Sequence, residues 1–201
     1  MYRYFSLPMP ATPSAIAAYK SLRLTSLRVD AAYFSSNYAR EAAYTDEFWY
    51  RRLSSPCKRT FIVAKATDIS PDSENRVPDG NSGIGMVTIL APSEIPSATL
   101  EPLERAGLSA NWEPYFLVAM WVHPEHRGKG VAKELVKRGL EWARTFSDPH
   151  FAHESGEKEK VVVLMVHDHN KSACTLYTKM GFRGLKEASC VEGCRWMAVK
   201  V

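Results

Sequence analysis

The chain has 201 residues, 45% hydrophobic and 24% charged, which are the proportions of a soluble globular protein able to bury a core without staples. A net charge of +4 with scattered basic residues favours an anionic ligand, but it lacks the basic stripe a nucleic-acid binder needs. No apolar run reaches the length of a membrane span, so neither nucleic acid nor membrane is expected as a partner.

The opening MYRYFSLPMPATPSA has no long apolar core after its basic start, so a secretory signal is not expected. RYFSLP (3–8) reads as a first strand ended by prolines. Ile16, Tyr19, Leu22, Leu24 and Leu27 then recur at helical spacing over 15–30. Thr45 before Asp46 and Glu47 reads as an N-cap, opening a second helix with Phe48, Trp49 and Leu53 that stops before Pro56. TFIVAKA (60–66) and IGMVTIL (84–90) are β-branched runs, the two strands of a long-looped hairpin. The polar stretch between them (68–83) is an exposed loop, and 91–114 is a second irregular stretch with a short helix around 100–106.

YFLVAMWV (115–122) is almost wholly apolar, as a strand buried on both faces should be. HPEHRGKG follows, then a helix whose apolar stripe is Val131, Ala132, Leu135, Val136, Leu140 and Ala143. VVVLMV (161–166) is a second buried strand. HDHN leads from it into a helix over 171–180, with Asn170 as N-cap and Gly181 as the left-handed stop. CRWMAVKV ends the chain as a strand. The order predicts an α/β fold, one central mixed sheet flanked by helices, with neighbouring strands that each lead into a helix pairing in parallel.

The glycines of HPEHRGKGVAKEL invite a test for phosphate loops. A P-loop needs Ser or Thr after its lysine, but Gly130 follows Lys129. A dinucleotide fingerprint needs a third glycine where Lys133 stands. What remains is R-x-x-G-x-A, with Arg127, Gly130 and Ala132, between a buried strand and an amphipathic helix. Small residues there let a phosphate approach the free N–H groups of the helix start.

This pattern resembles the coenzyme-A pyrophosphate loop of the GCN5-related N-acetyltransferase (GNAT) superfamily. A second segment strengthens the resemblance. After a strand, Asn170, Ala173, Leu176, Tyr177, Lys179, Gly181 and Phe182 spell Asn-x-x-Ala-x-x-Leu-Tyr-x-Lys-x-Gly-Phe. Val122 and Pro124 supply the family's Val-x-Pro before the loop. The resemblance implies the GNAT acyl-CoA N-acyltransferase fold, as a single domain over 1–201. Residues 1–114 would form an acceptor-side half with long loops at 68–83 and 91–114. Residues 115–182 would form the acetyl-CoA-binding core, and 183–201 the C-terminal strands.

By that resemblance, acetyl-CoA is the co-substrate. Its pyrophosphate would take the N–H groups of Gly128, Lys129, Gly130, Val131 and Ala132, with Arg127 beside them. The pantetheine arm would pair with Met120, Trp121 and Val122, with Asn170 and Ala173 on its other contacts. Tyr177 would bind the coenzyme and protonate the departing sulfur.

Each residue also has a structural reading: Asn170 as a helix cap, Tyr177 as core, Lys129 as a solvated charge. The base is not legible. Where some members of the family carry Glu or His, the inward strand positions near Phe116 and Val118 are apolar, and Glu113, His123, His167 and His169 are the residues nearest by; by the resemblance, proton removal through ordered water, as in many members, is favoured. His123 and His126, and His167 with Asp168 and His169, match no common zinc spacing, and no metal is expected.

The expected function is acetyl transfer to an amine, with a small molecule as acceptor. A peptide acceptor, or a non-catalytic acetyl-CoA-binding module, remains the alternative. Asp72, Glu74, Asp79, Glu94, Glu101 and Glu104 in the long loops could attract a cationic amine. Cys57, Cys174, Cys190 and Cys194 form no CxxC pair and read as reduced thiols in the cytoplasm, the nucleus not excluded. Monomer and homodimer both stay open.

Overall fold

A computed structural model describes residues 1–66, 82–108, 110–151, 158–190 and 192–201. Seven strands form one mixed sheet in the order β1-β2-β3-β4-β5-β7-β6. They are β1 (Tyr2–Ser6), β2 (Lys58–Lys65), β3 (Gly83–Leu90), β4 (Trp112–Val122), β5 (Glu159–His167), β6 (Arg183–Leu185) and β7 (Cys194–Lys200). The helices are α1 (Pro13–Val29), α2 (Tyr38–Ala42), α3 (Asp46–Leu53), α4 (Ser97–Arg105), α5 (Val131–Thr145) and α6 (Lys171–Lys179). By contacts the chain forms two compact units, one of Met1–Thr88 and Ala119–Leu135, the other of Ile89–Val118 and Val136–Val201.

In the first unit, α1 starts where Thr12 accepts from the Ala15 N–H at 3.3 Å and Pro13 takes the first turn, which needs no donor. Its apolar face, including Tyr19 and Leu22, packs with Trp49 and Leu53 of α3 and with Phe5, Ile62, Met86 and Trp121 of the strands. Thr45 caps α3 as the sequence predicts. The short α2 has no counterpart in the sequence reading. It is little more than one turn, started by Asn37, whose side chain accepts from Arg40 N–H. Its Glu41 is buried and takes a two-pronged hydrogen bond from Arg23, 3.0 Å from Nε and 2.7 Å from Nη2. Burial alone would raise the Glu41 carboxyl; Arg23 and Arg52 outweigh it and hold it below the usual carboxylate value.

In the second unit, β4 and β5 run parallel, from Trp112 opposite Glu159 to Phe116 opposite Val163. The antiparallel β5–β7 ladder runs from Val161 opposite Lys200 to His167 opposite Cys194. Phe116, Val161, Val163 and Trp196 share a core with Leu103 of α4. The three-residue β6 is too short to leave a periodic signal, yet it pairs with β7. β4 begins earlier than its apolar run, so Glu113 lies inside the strand rather than outside it. The same strand is not buried throughout: Val118, Ala119 and Met120 are half-buried.

Candidate active site

The first unit carries the end of β4, the glycine loop and the first turn of α5. Ala119, past the last β4–β5 pair, has a φ of +52°, a conformation rare for a residue with a Cβ, and it bends the strand before Met120. Trp121 and Val122 are buried. The loop glycines Gly128 and Gly130 have φ of +72° and +80°. A Cβ at either would meet open space, so the requirement is conformational. The first helical donor of α5 is Glu134, whose N–H reaches Gly130 O at 3.1 Å. The N–H groups of Val131, Ala132 and Lys133 precede it and have no acceptor within the helix, an arrangement of donors that suits an anion.

Arg127 is placed differently from a simple phosphate ligand. Its Nε donates to Val122 O at 2.9 Å and its Nη2 to the Asp30 carboxylate. Asp30 Oδ2 also accepts from Trp121 Nε1 at 2.6 Å. One carboxylate at the C-terminal end of α1 thus fixes both the end of β4 and the start of the loop. Nothing in the sequence marked Asp30, because its partners lie more than ninety residues away. Lys129 Nζ turns back to Glu125 O at 2.9 Å.

The histidines here have other contacts. His126 is buried and its Nδ1 lies 3.1 Å from the Tyr2 hydroxyl. Burial lowers the His126 imidazole below its usual value, and the cations Lys65 and Lys129 add to the effect. His123 Nδ1 is buried without a hydrogen bond, 3.9 Å from Glu125 Oε2. Ligand atoms of His123, Glu125 and His126 lie within 4.8 Å of one another, a grouping wider than a formed zinc site. A cleft of about 380 Å³ opens beside His123, against α1, Tyr38 and the start of β3.

The second unit carries α6. Asn170 Oδ1 accepts from Ala173 N–H at 3.1 Å, which confirms the cap and leaves its amide NH₂ for another acceptor. Gly181 has a φ of +92° and ends the segment as read. Tyr177 is 5% exposed and packs its ring 5.5 Å from Phe182. Burial pushes the Tyr177 phenol well above the usual tyrosine value, with Cys174 adding to it. No hydrogen bond to another described residue occupies the hydroxyl.

The base candidates in this unit are committed elsewhere. Glu113 is buried, with Oε1 2.6 Å from the Tyr115 hydroxyl. His167 Nδ1 lies 3.1 Å from Cys194 Sγ, and Asp168 pairs with Arg195. Among the loop acids, Glu101 pairs with Arg105 on α4. Asp72, Glu74 and Asp79 lie outside the described residues. None of the four cysteines is in a disulfide. No described helix is long and apolar enough to cross a membrane.

Residues 84–182 match the model of the acetyltransferase (GNAT) family. That segment is a GNAT acetyltransferase domain. No curated protein matches the chain in sequence. Solved structures share its fold. A GNAT-family acetyltransferase from Streptococcus pneumoniae aligns with a TM-score of 0.58 at 19% identity, covering 99% of this chain and 100% of that one. Arabidopsis thaliana NAA60 in complex with acetyl-CoA aligns at 0.57 with 15% identity, covering 100% and 99%. Spermidine N-acetyltransferase from Vibrio cholerae, in complex with CoA and spermine, aligns at 0.54 with 18% identity, covering 99% and 95%. At these identities the likeness is one of fold.

Proposed function

We propose that the protein transfers the acetyl group of acetyl-CoA directly to the amine of a small molecule. The observation that carries this reading is the loop between β4 and α5. Two glycines in left-handed conformations deliver the N–H groups of Val131 and Ala132, free of helical partners, beside the cation of Lys129. These groups, from Gly128 to Ala132, hold the pyrophosphate. Arg127 is tied to Asp30 and Val122, so its part is to set the shape of the loop.

The backbone of Met120, Trp121 and Val122 pairs with the pantetheine arm, beyond the point where the β4–β5 ladder ends. In the second unit, Asn170 has its amide NH₂ left to offer to the coenzyme, next to Ala173 on the first turn of α6. The acceptor arrives as an ammonium, since a free alkyl amine has a pKa of about 10. It loses a proton to ordered water, and its nitrogen attacks the thioester carbon. The C–N bond forms, the C–S bond breaks and the sulfur leaves as a thiolate. Tyr177 donates to that sulfur. As the C–N bond forms the nitrogen sheds its second proton, which passes through ordered water to Tyr177 while the phenol gives its own proton to the sulfur, so the buried phenol is never left ionised.

A screen of amines for thiol release, with acetyl-CoA as donor, tests the reading. Stoichiometric formation of coenzyme A and an N-acetylated amine supports it. Tight acetyl-CoA binding without release across the panel assigns the protein to non-catalytic binding instead.

A further inference from the structure

The cleft beside His123 carries information about the acceptor. It is a separate feature from the glycine loop, and it borders His123, one residue beyond the strand end assigned to the pantetheine arm. Its ionisable lining groups are Arg28 and His123, and its hydroxyls are those of Ser21, Thr25 and Tyr38. Leucines of α1 and the backbone at the start of β3 complete the walls. Among the described residues no carboxylate lines it.

Arg28 is held in place by Tyr38. Its guanidinium carbon lies 4.3 Å above the centre of the Tyr38 ring, and its Nη2 donates to the Tyr38 hydroxyl. Stacking fixes the plane of the guanidinium and leaves its charge in place. Among the described residues Arg28 pairs with no carboxylate. The nearby Asp30 is already taken by Trp121 and Arg127. His123 is either neutral or cationic, never anionic. Among the described residues the lining charge is therefore positive, and a planar guanidinium matches a carboxylate or phosphate in a way that repels a polycation.

We infer that the acceptor amine also carries an anionic group, a carboxylate or a phosphate, which Arg28 binds in this cleft. This deepens the reading of acetyl transfer to a small amine and rests on it. It also reverses the expectation, drawn from the loop acids, of a cationic acceptor.

The test pairs anionic acceptors with neutral counterparts: alanine with alaninamide, and phosphoethanolamine with ethanolamine. Spermidine and a peptide with an uncharged N-terminal residue complete the set. The expected result is a kcat/KM for the anionic member of at least one pair about tenfold above its neutral partner, a difference of about 1.4 kcal/mol. Arg28→Met removes that advantage by raising KM for the anionic acceptor. It leaves the neutral partner and the KM for acetyl-CoA unchanged, and Arg28→Lys recovers part of the loss.

Equal or better turnover of alaninamide, ethanolamine, spermidine or the neutral peptide overturns the inference. So does an unchanged preference in Arg28→Met. Calorimetric titration of alanine and phosphoethanolamine into wild type and Arg28→Met decides the anion preference without turnover. Binding that needs Arg28 supports the inference, and binding indifferent to it, or none, refutes it. A panel with no thiol release at all counts separately, against acetyl transfer itself.

Discussion

Tyr177, proposed as the acid, and Asp30, proposed to position the loop, are separated by kinetics. The Tyr177 ring packs on Phe182, and Tyr177→Phe keeps that packing while removing the hydroxyl. Loss of a general acid typically lowers kcat about a hundredfold; steady-state kinetics should show that fall, with KM for acetyl-CoA little changed. The pH profile gives a second check. Burial raises the Tyr177 phenol, so it ionises only above the ordinary tyrosine value of about 10. Wild-type kcat should therefore show no decline from Tyr177 up to about pH 10. A decline lost in Tyr177→Phe at lower pH would mean the phenol is not so shielded. Asp30 touches no proposed substrate atom and is a positioning residue. It holds Trp121 and Arg127 at once, and hydrogen bonds to charged groups contribute about 1.5–3 kcal/mol. Asp30→Ala should raise KM for acetyl-CoA about tenfold while kcat at saturation is largely retained, and Asp30→Glu should restore part of the affinity. An equal fall in kcat would place Asp30 in the chemistry instead.

At the scale of elements, the glycine loop and the α1–α2 pair answer to different measurements. Gly130 at a φ of +80° cannot be exchanged for a β-branched residue without strain of about 1–3 kcal/mol. Gly130→Val should weaken acetyl-CoA binding about tenfold or more by calorimetry, while the melting temperature moves by only a few degrees because the loop is exposed. The Arg23–Glu41 pair joins α1 to α2 with side-chain exposures of 6% and 2%, so removing one partner strands a buried charge. Glu41→Gln should cost about 3 kcal/mol or more in urea unfolding at neutral pH. Glu41 is held below its ordinary value, so its contribution is complete above about pH 4.3 and is lost as pH falls through the lower folded value. The gap between wild type and Glu41→Gln should then close in acid. A gap that stays constant to low pH would show that packing, rather than charge, carries the effect.

Across the molecule, what could be read from sequence followed periodicity and capping chemistry. Thr45 and Asn170 announced their helices because a cap is a local hydrogen bond. The apolar runs of β4 and β5 announced a buried parallel pair because burial on both faces leaves no alternation. The helix α2 and the strand β6 leave no readable pattern because five and three residues barely pass a single period, too few for a repeat to show. Glu113 was misplaced because Trp112, Glu113 and Pro114 look like a loop, although Glu113 is satisfied inside the strand by Tyr115. The loop and α6 motifs were legible because each needs fixed residue types at fixed spacing. Asp30, the Arg28–Tyr38 stack and the Glu41 pair were not, because they are made by folding residues from separate elements together. The central proposal is acetyl transfer at the coenzyme thioester. Mass spectrometry of the products formed from acetyl-CoA and an amine panel, with free thiol counted in parallel, tests it most directly. One N-acetylated amine per coenzyme A released, reduced about a hundredfold in Tyr177→Phe, is the predicted result. Acetyl-CoA bound tightly but returned intact from every amine would contradict it.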